Sequence, residues 1–209
     1  MFVIVVQIRA ADPEAQARQH GVYARIAGRY PGMRYKHVMR SESDGDRYVD
    51  LMAWETQQQS EAFGVDPEYQ RLRPPRSATR TVPRFLRDDN PGYYGLVAET
   101  ARPGAAIARQ QVVFVDARPG REGELAAAGR RLAAGAGELA GLTSLRVLRN
   151  LGWPARHVVA VAASEAVEVA EAGPTRTAWE RLAACCTAPP EWESGHLVVR
   201  WDADDPGGT

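Results

Sequence analysis

Lysine is almost missing from this 209-residue chain: of its 26 Lys and Arg residues only Lys36 is lysine. Together with abundant Ala, Gly and Pro, this points to a GC-rich coding bias and to no mechanism. Net charge of one sign is missing too, because 26 acids balance the 26 bases, so no global field draws the protein to nucleic acid or an anionic membrane. No apolar run approaches the ~18 residues of a membrane span. The leading MFVIVVQIRA lacks a basic start and a small-residue cleavage site, and reads as a strand. Cysteine occurs only as Cys185-Cys186. An adjacent pair rarely bridges and makes no metal pattern, which favours small packing residues in the last helix and a reducing cytoplasm. There is no G-x-G-x-x-G, P-loop, H-E-x-x-H or G-x-S-x-G sequence, so dedicated nucleotide, zinc-protease and serine-hydrolase sites are not expected.

What is present is a repeat. Sliding the sequence by 109 residues lays Val3-Ile4-Val5-Val6 on Val112-Val113-Phe114-Val115, without a gap over most of a unit. Gly32 falls on Gly141, Val38 on Val147, Arg40 on Arg149, and Arg47-Tyr48-Val49 on Arg156-His157-Val158. Identity is sparse, but strands and turns share one register.

In the first copy, Phe2 to Ala10 is β-branched and strand-like. Asp12-Pro13 is an N-cap followed by proline at N1, opening a helix to about Arg29, and Pro31-Gly32 ends it. Met33 to Arg40 is a strand with Tyr35, His37 and Met39 on one face and Arg34, Lys36 and Arg40 on the other. Ser43-Asp44-Gly45-Asp46 is a hairpin turn into a third strand, Arg47 to Glu55. Helical segments follow at Gln57 to Phe63 and Asp66 to Leu72, stopped by Pro74-Pro75. The fourth strand is either Arg80 to Arg87 or Tyr93 to Glu99. The second copy repeats this order, with strands at 110–118, 142–150, 155–164 and 195–202 and helices at 121–139 and between 165 and 186.

A β-α-β-β-α-β unit is a four-stranded sheet with both helices on one face. The first strand is apolar on both faces, Phe2, Ile4, Val6 and Ile8 against Val3 and Val5, so its second face needs a partner sheet. The expected fold is α+β, with tandem ferredoxin-like repeats forming an intrachain pseudo-dimeric α/β barrel. The expected layout is a site-bearing domain at 1–100, a linker at 101–109, a degenerate domain at 110–203 and a disordered tail at 204–209.

The stretch Val49-Asp50-Leu51-Met52-Ala53-Trp54-Glu55-Thr56, then Glu61-Ala62-Phe63 and Asp66-Pro67-Glu68-Tyr69, resembles the antibiotic biosynthesis monooxygenase family of dimeric α/β barrels. The resemblance covers residues 1–75 well, and the second copy only by its strand pattern. The tandem form is similar to the ring-opening oxygenases of angucycline pathways (jadomycin, gilvocarcin and kinamycin types). The resemblance implies a cytoplasmic oxidoreductase that attacks a polycyclic aromatic polyketide with O2. It implies no metal or tightly bound prosthetic group, with reduced flavin (FADH2) from solution, supplied by a flavin reductase, as a diffusible cosubstrate in the angucycline subgroup. A haem-degrading branch would need an axial histidine on the second helix, where Phe63-Gly64-Val65 has none. Either a monomeric pseudo-dimer or a homodimer fits.

Cofactor-free oxygenation needs an enclosed aromatic pocket, a base for the phenol and donors for the resulting anion. His37 titrates near neutrality and is the candidate base. Trp54, where the resemblance puts a pocket tryptophan, offers a plane for a fused-ring substrate and is grouped with it as catalytic. Gln7, Tyr35, Tyr69 and Arg73 are the candidate substrate-binding residues; each also has a plain packing or surface role. In the ungapped register Gln7 becomes Asp116, Tyr35 Ser144, His37 Arg146, Trp54 Ala163 and Tyr69 Ala178, so one active site per chain is expected. A non-oxidative polyketide cyclase and a non-catalytic barrel that binds a small aromatic are the competing functions.

Overall fold

The computed structural model describes residues 1–72, 79–81, 92–102, 104–171 and 173–203. The chain runs β1 (Phe2–Ala10), α1 (Pro13–Ala27), β2 (Met33–Ser41), β3 (Arg47–Trp54), α2 (Gln57–Gly64), α3 (Pro67–Leu72), a short β4 (Thr79–Thr81) and β5 (Tyr93–Ala101). It continues with β6 (Arg109–Asp116), α4 (Glu122–Ala136), β7 (Leu142–Asn150), β8 (Arg156–Ala163), α5 (Gly173–Ala184) and β9 (Trp192–Asp202). No described helix is long and apolar enough to cross a membrane.

Local chemistry sets these boundaries. Asp12 caps α1 by accepting from the Ala15 N–H at 3.0 Å, with Pro13 just inside. Gly32 and its counterpart Gly141 turn the chain into β2 and β7 at φ +81° and +72°, a region open to glycine. Thr56 and Gln59 form a reciprocal capping box at α2.

Two compact units emerge, Met1–Tyr93 with His196–Thr209, and Tyr94–Gly195. The fourth strand, left open between two segments, is chiefly β5: it pairs antiparallel with β7 inside the second unit. Of the other alternative, Arg80 and Thr81 lie in the short β4 (Thr79–Thr81) against β1, and residues 82–87 lie outside the described set. The end of β9 belongs to the first unit, where the Ala203 N–H donates to Arg34 O at 2.9 Å. Each unit therefore takes a strand from the other repeat, and the units do not follow the 1–100 and 110–203 division. The expected linker is shorter than 101–109, because β5 reaches Ala101 and β6 begins at Arg109. The tail at 204–209 lies outside the described residues.

In the first unit β1 pairs with β3 and β3 with β2, all antiparallel. Alternation then separates two faces. Phe2, Ile4, Met52, Trp54 and Met33 meet Ile26 and Ala27 of α1 and Phe63 of α2. Ile8, Val38 and Tyr48 extend this helix-covered side. The opposite face carries Val3, Val5 and Gln7 from β1, Val49, Leu51 and Ala53 from β3, and Tyr35, His37 and Met39 from β2. A bulge between Met33 and Tyr35 lets Met33 join the helix side, and the second unit has the same bulge between Leu142 and Ser144.

The second unit's core is Leu125, Leu132, Leu145, Val147, Val159, Val161 and Leu182 with their neighbours. The repeat register changes at the first strand. The pairs β2–β3 and β7–β8 superpose with a shift of 109, but Phe2 opposite Trp54 corresponds to Arg109 opposite Ala163, a shift of 107. The loop between β6 and α4 is two residues longer, and an even offset leaves every side chain on its own face. The counterpart of Gln7 is consequently Phe114, opposite Val158, rather than Asp116.

Candidate active site

Five of the six residues chosen from sequence divide between the two faces. Trp54 is wholly buried on the helix side, its ring 5.5 Å from Phe63 and tilted by 30°. Tyr69 is on that side too, with ring centroids 4.4 Å from Phe63 and 4.9 Å from Tyr23. Trp54 and Tyr69 thus belong to an aromatic core cluster, and the expected union of Trp54 with His37 does not form. The reason is parity: His37 is opposite Leu51, and Trp54, three residues further along β3, points the other way. Arg73 lies outside the described residues.

Tyr35, His37 and Gln7 share the helix-free face. Tyr35 and His37 are stacked at 4.8 Å with a 36° tilt, and both are buried. Gln7 is buried in the row Gln7–Val49–Met39, one row along from Val5–Leu51–His37. Strand spacing puts its Cα about 12 Å from that of His37, so it can meet a different part of a ligand but not the same atom.

Two residues overlooked in the sequence complete this group. His37 Nε2 is 2.9 Å from Asp202 Oδ1, and Arg200 Nε donates to Asp202 Oδ2 at 2.6 Å. Burial alone would push the Asp202 carboxyl up, but hydrogen bonding and charge from His37 and Arg200 prevail and hold it below the usual carboxylate value. In the tautomer that donates from Nε2 to an ionised Asp202, Nδ1 is the basic nitrogen of His37. Such a carboxylate–imidazole pair orients a general base and stabilises its protonated form. Arg200-Trp201-Asp202 does carry a period-2 signal, since Trp201 packs on the helix side beside Gly28 and its neighbours face the other way. Sequence distance concealed it: His37 and Asp202 are 165 residues apart.

The second unit has different chemistry at the same place. Arg146, the counterpart of His37, donates through Nε to Glu99 at 2.7 Å and through a terminal nitrogen to Ser144 at 2.9 Å. Arginine stays protonated at any ordinary pH, so this pair cannot act as a base.

A second polar group, also overlooked, lies on the helix side of the first unit. Lys36 is fully buried, and its Nζ donates to Asp50 Oδ2 at 2.5 Å. His20 Nδ1 is 3.2 Å from the same oxygen, and Gln16 Nε2 is 2.8 Å from His20 Nε2. Burial pushes the Lys36 ammonium below its ordinary value, against the pull of Asp50. Burial would raise the Asp50 carboxyl, but Lys36 and His20 hold it well below the usual range. The sole lysine, on the same strand face as Val38, was the available sign. Among the described residues, no group of three or more His, Cys, Asp or Glu is placed to hold a metal ion.

No protein-family model matches the chain, and no curated protein matches it. Solved structures do. A presumed monooxygenase of Lactobacillus acidophilus is similar with a TM-score of 0.73 at 5% identity, over 97% of this chain and 96% of that one. A presumed monooxygenase of Fusobacterium nucleatum gives 0.76 at 7% identity, over 96% and 93%. An anthrone oxidase-like protein gives 0.61 at 12% identity, over 97% and 93%. At these identities the likeness is one of fold. A further whole-chain match, at 0.54 and 8% identity, is a ferredoxin-fold protein of Listeria monocytogenes related to antibiotic biosynthesis monooxygenases. The chain is accordingly an α+β protein of tandem ferredoxin-like repeats.

Proposed function

We propose that this chain is an oxygenase acting on a polycyclic aromatic polyketide, with His37 as the general base. The observation that carries the reading is the His37–Asp202 pair, stacked on Tyr35 on the helix-free face and replaced by the Arg146–Glu99 ion pair in the second unit. His37 takes a proton from an anthrone methylene. The electron-rich anion then reduces O2: one oxygen atom becomes the new ring carbonyl, and the other leaves as water with the two hydrogens of the methylene. Tyr35 offers an aromatic surface beside the base, and Gln7 a polar group further along the same face. Similarity in fold to presumed monooxygenases and to an anthrone oxidase-like protein supports this choice of chemistry.

The test is oxygen uptake with 1,8-dihydroxyanthrone, in the presence and absence of FAD, NADH and a flavin reductase. Turnover without those additions marks a cofactor-free oxygenase, and turnover only with them marks reduced flavin as diffusible cosubstrate. Ring closure of a linear poly-β-ketone at the same rate without O2 would identify a cyclase instead.

A further inference from the structure

The buried group of Gln16, His20, Lys36 and Asp50 has an internal control. Its counterparts in the second unit are Leu125, Gly129, Leu145 and Val159, all buried, and three of them belong to the apolar core. The second unit therefore packs its helix on the sheet without any polar side-chain atom at these four positions, α4 lying close enough that a Cβ on Gly129 would be 2.7 Å from Val147. The polar version is also incompletely satisfied. Among the described residues, buried Asp50 Oδ1 has no hydrogen-bond partner, and buried His20 Nδ1 only the 3.2 Å approach to Asp50 Oδ2. Removing two charges from water costs more than such a set regains, and replacing a buried ion pair with apolar residues of similar volume is often neutral or stabilising. Stability is thus no reason for this unit to have the group.

Its position suggests another reason. Lys36 sits between Tyr35 and His37 on β2. Asp50 adjoins Leu51, the cross-strand partner of His37. The ion pair ties β2 to β3, and His20, held by Gln16 on the same helix, brings α1 against Asp50 at 3.2 Å, directly behind the strand pair that presents the imidazole. The unit with this group has the His37–Asp202 pair; the unit without it has a fixed Arg146–Glu99 bridge. We infer that Lys36, Asp50, His20 and Gln16 are positioning residues, which hold β2 in the register and tilt that bring His37 Nε2 onto Asp202. Directional bonds to a charged pair fix a strand more narrowly than apolar contacts, which tolerate sliding. This inference rests on the role assigned to His37 above.

The experiment replaces the four with apolar residues of similar volume, as the fourfold variant Gln16→Leu/His20→Leu/Lys36→Met/Asp50→Val. It is expected to fold, with a thermal midpoint at or above that of the parent. In 1H–15N spectra of the imidazole rings, the parent is expected to show a protected Nε2–H signal of His37, identified by its loss in His37→Gln. That signal is expected to be lost or broadened in the fourfold variant, and kcat for 1,8-dihydroxyanthrone to fall at least tenfold with KM within twofold. A folded variant with an unchanged ring signal and kcat would overturn the positioning role. Failure to fold would overturn it too, by making the group structural. The two readings separate cleanly: full turnover by His37→Gln would sink the oxygenase mechanism, and the ring signal would still decide whether the network places His37.

Discussion

His37 Nε2 and Asp202 Oδ1 meet at 2.9 Å, although one residue lies in the second strand and the other at the end of the last. The contact gives the first unit a titratable pair where the second has a permanent ion pair. Asp202→Asn removes the charge that orients the ring. A hydrogen bond to a charged group contributes about 1.5–3 kcal/mol, so kcat is expected to fall about 10- to 100-fold with little change in KM. Steady-state kinetics on 1,8-dihydroxyanthrone check this.

Trp54 is expected to behave as a core residue. Trp54→Ala should destabilise the protein by about 3–5 kcal/mol, read from urea denaturation, because its ring fills the space against Phe63, Met33 and Met52. Trp54→Phe should retain most turnover. A large loss of kcat in a stable Trp54→Phe variant would return Trp54 to the site.

Stability should decline with acid in two stages. Burial lowers the pKa of His157 from its ordinary value near 6.5. Its neutral form is favoured in the fold, so its contribution is full above about 6.5 and shrinks as pH falls towards the folded value. Asp50 and Asp202 are both held below their ordinary value of 3.8, so their contributions are full above that value and vanish as pH falls through the folded ones. Urea midpoints from pH 8 to pH 3 should follow this course, and His157→Phe should weaken the first stage.

Cys185 and Cys186 are both buried, and burial pushes the Cys186 thiol up to about 11. Native protein at pH 8 should react slowly with an aromatic disulfide reagent, and two thiols per chain should appear on denaturation. Rapid native reaction would show that the end of α5 opens.

Much of the architecture was legible because it is written in local chemistry: the Asp12-Pro13 cap, the Gly32 and Gly141 turns, and the β-branched runs of β1 and β6. Alternation correctly put Tyr35 and His37 together and Lys36 on the other face. Two things were hidden. The first is parity along β3 from the partner of His37, which decides that Trp54 looks away from it. The second is long-range partnership, since nothing near His37 in sequence names Asp202, and nothing near Lys36 names His20. The ungapped alignment failed at the first strand, where two extra loop residues preserve faces and so leave the hydrophobic pattern unchanged, and at the last, where Arg102 and Ala203 make equivalent bonds to Thr143 and Arg34.

The most direct test of the account is the initial rate of O2 consumption with 1,8-dihydroxyanthrone by the parent protein and by His37→Gln, at equal concentration and with folding checked by circular dichroism. General-base catalysis contributes about 10²- to 10⁴-fold, so the variant should lose at least ~100-fold while its spectrum is unchanged. A folded His37→Gln protein that consumes oxygen at the parental rate would contradict the central claim.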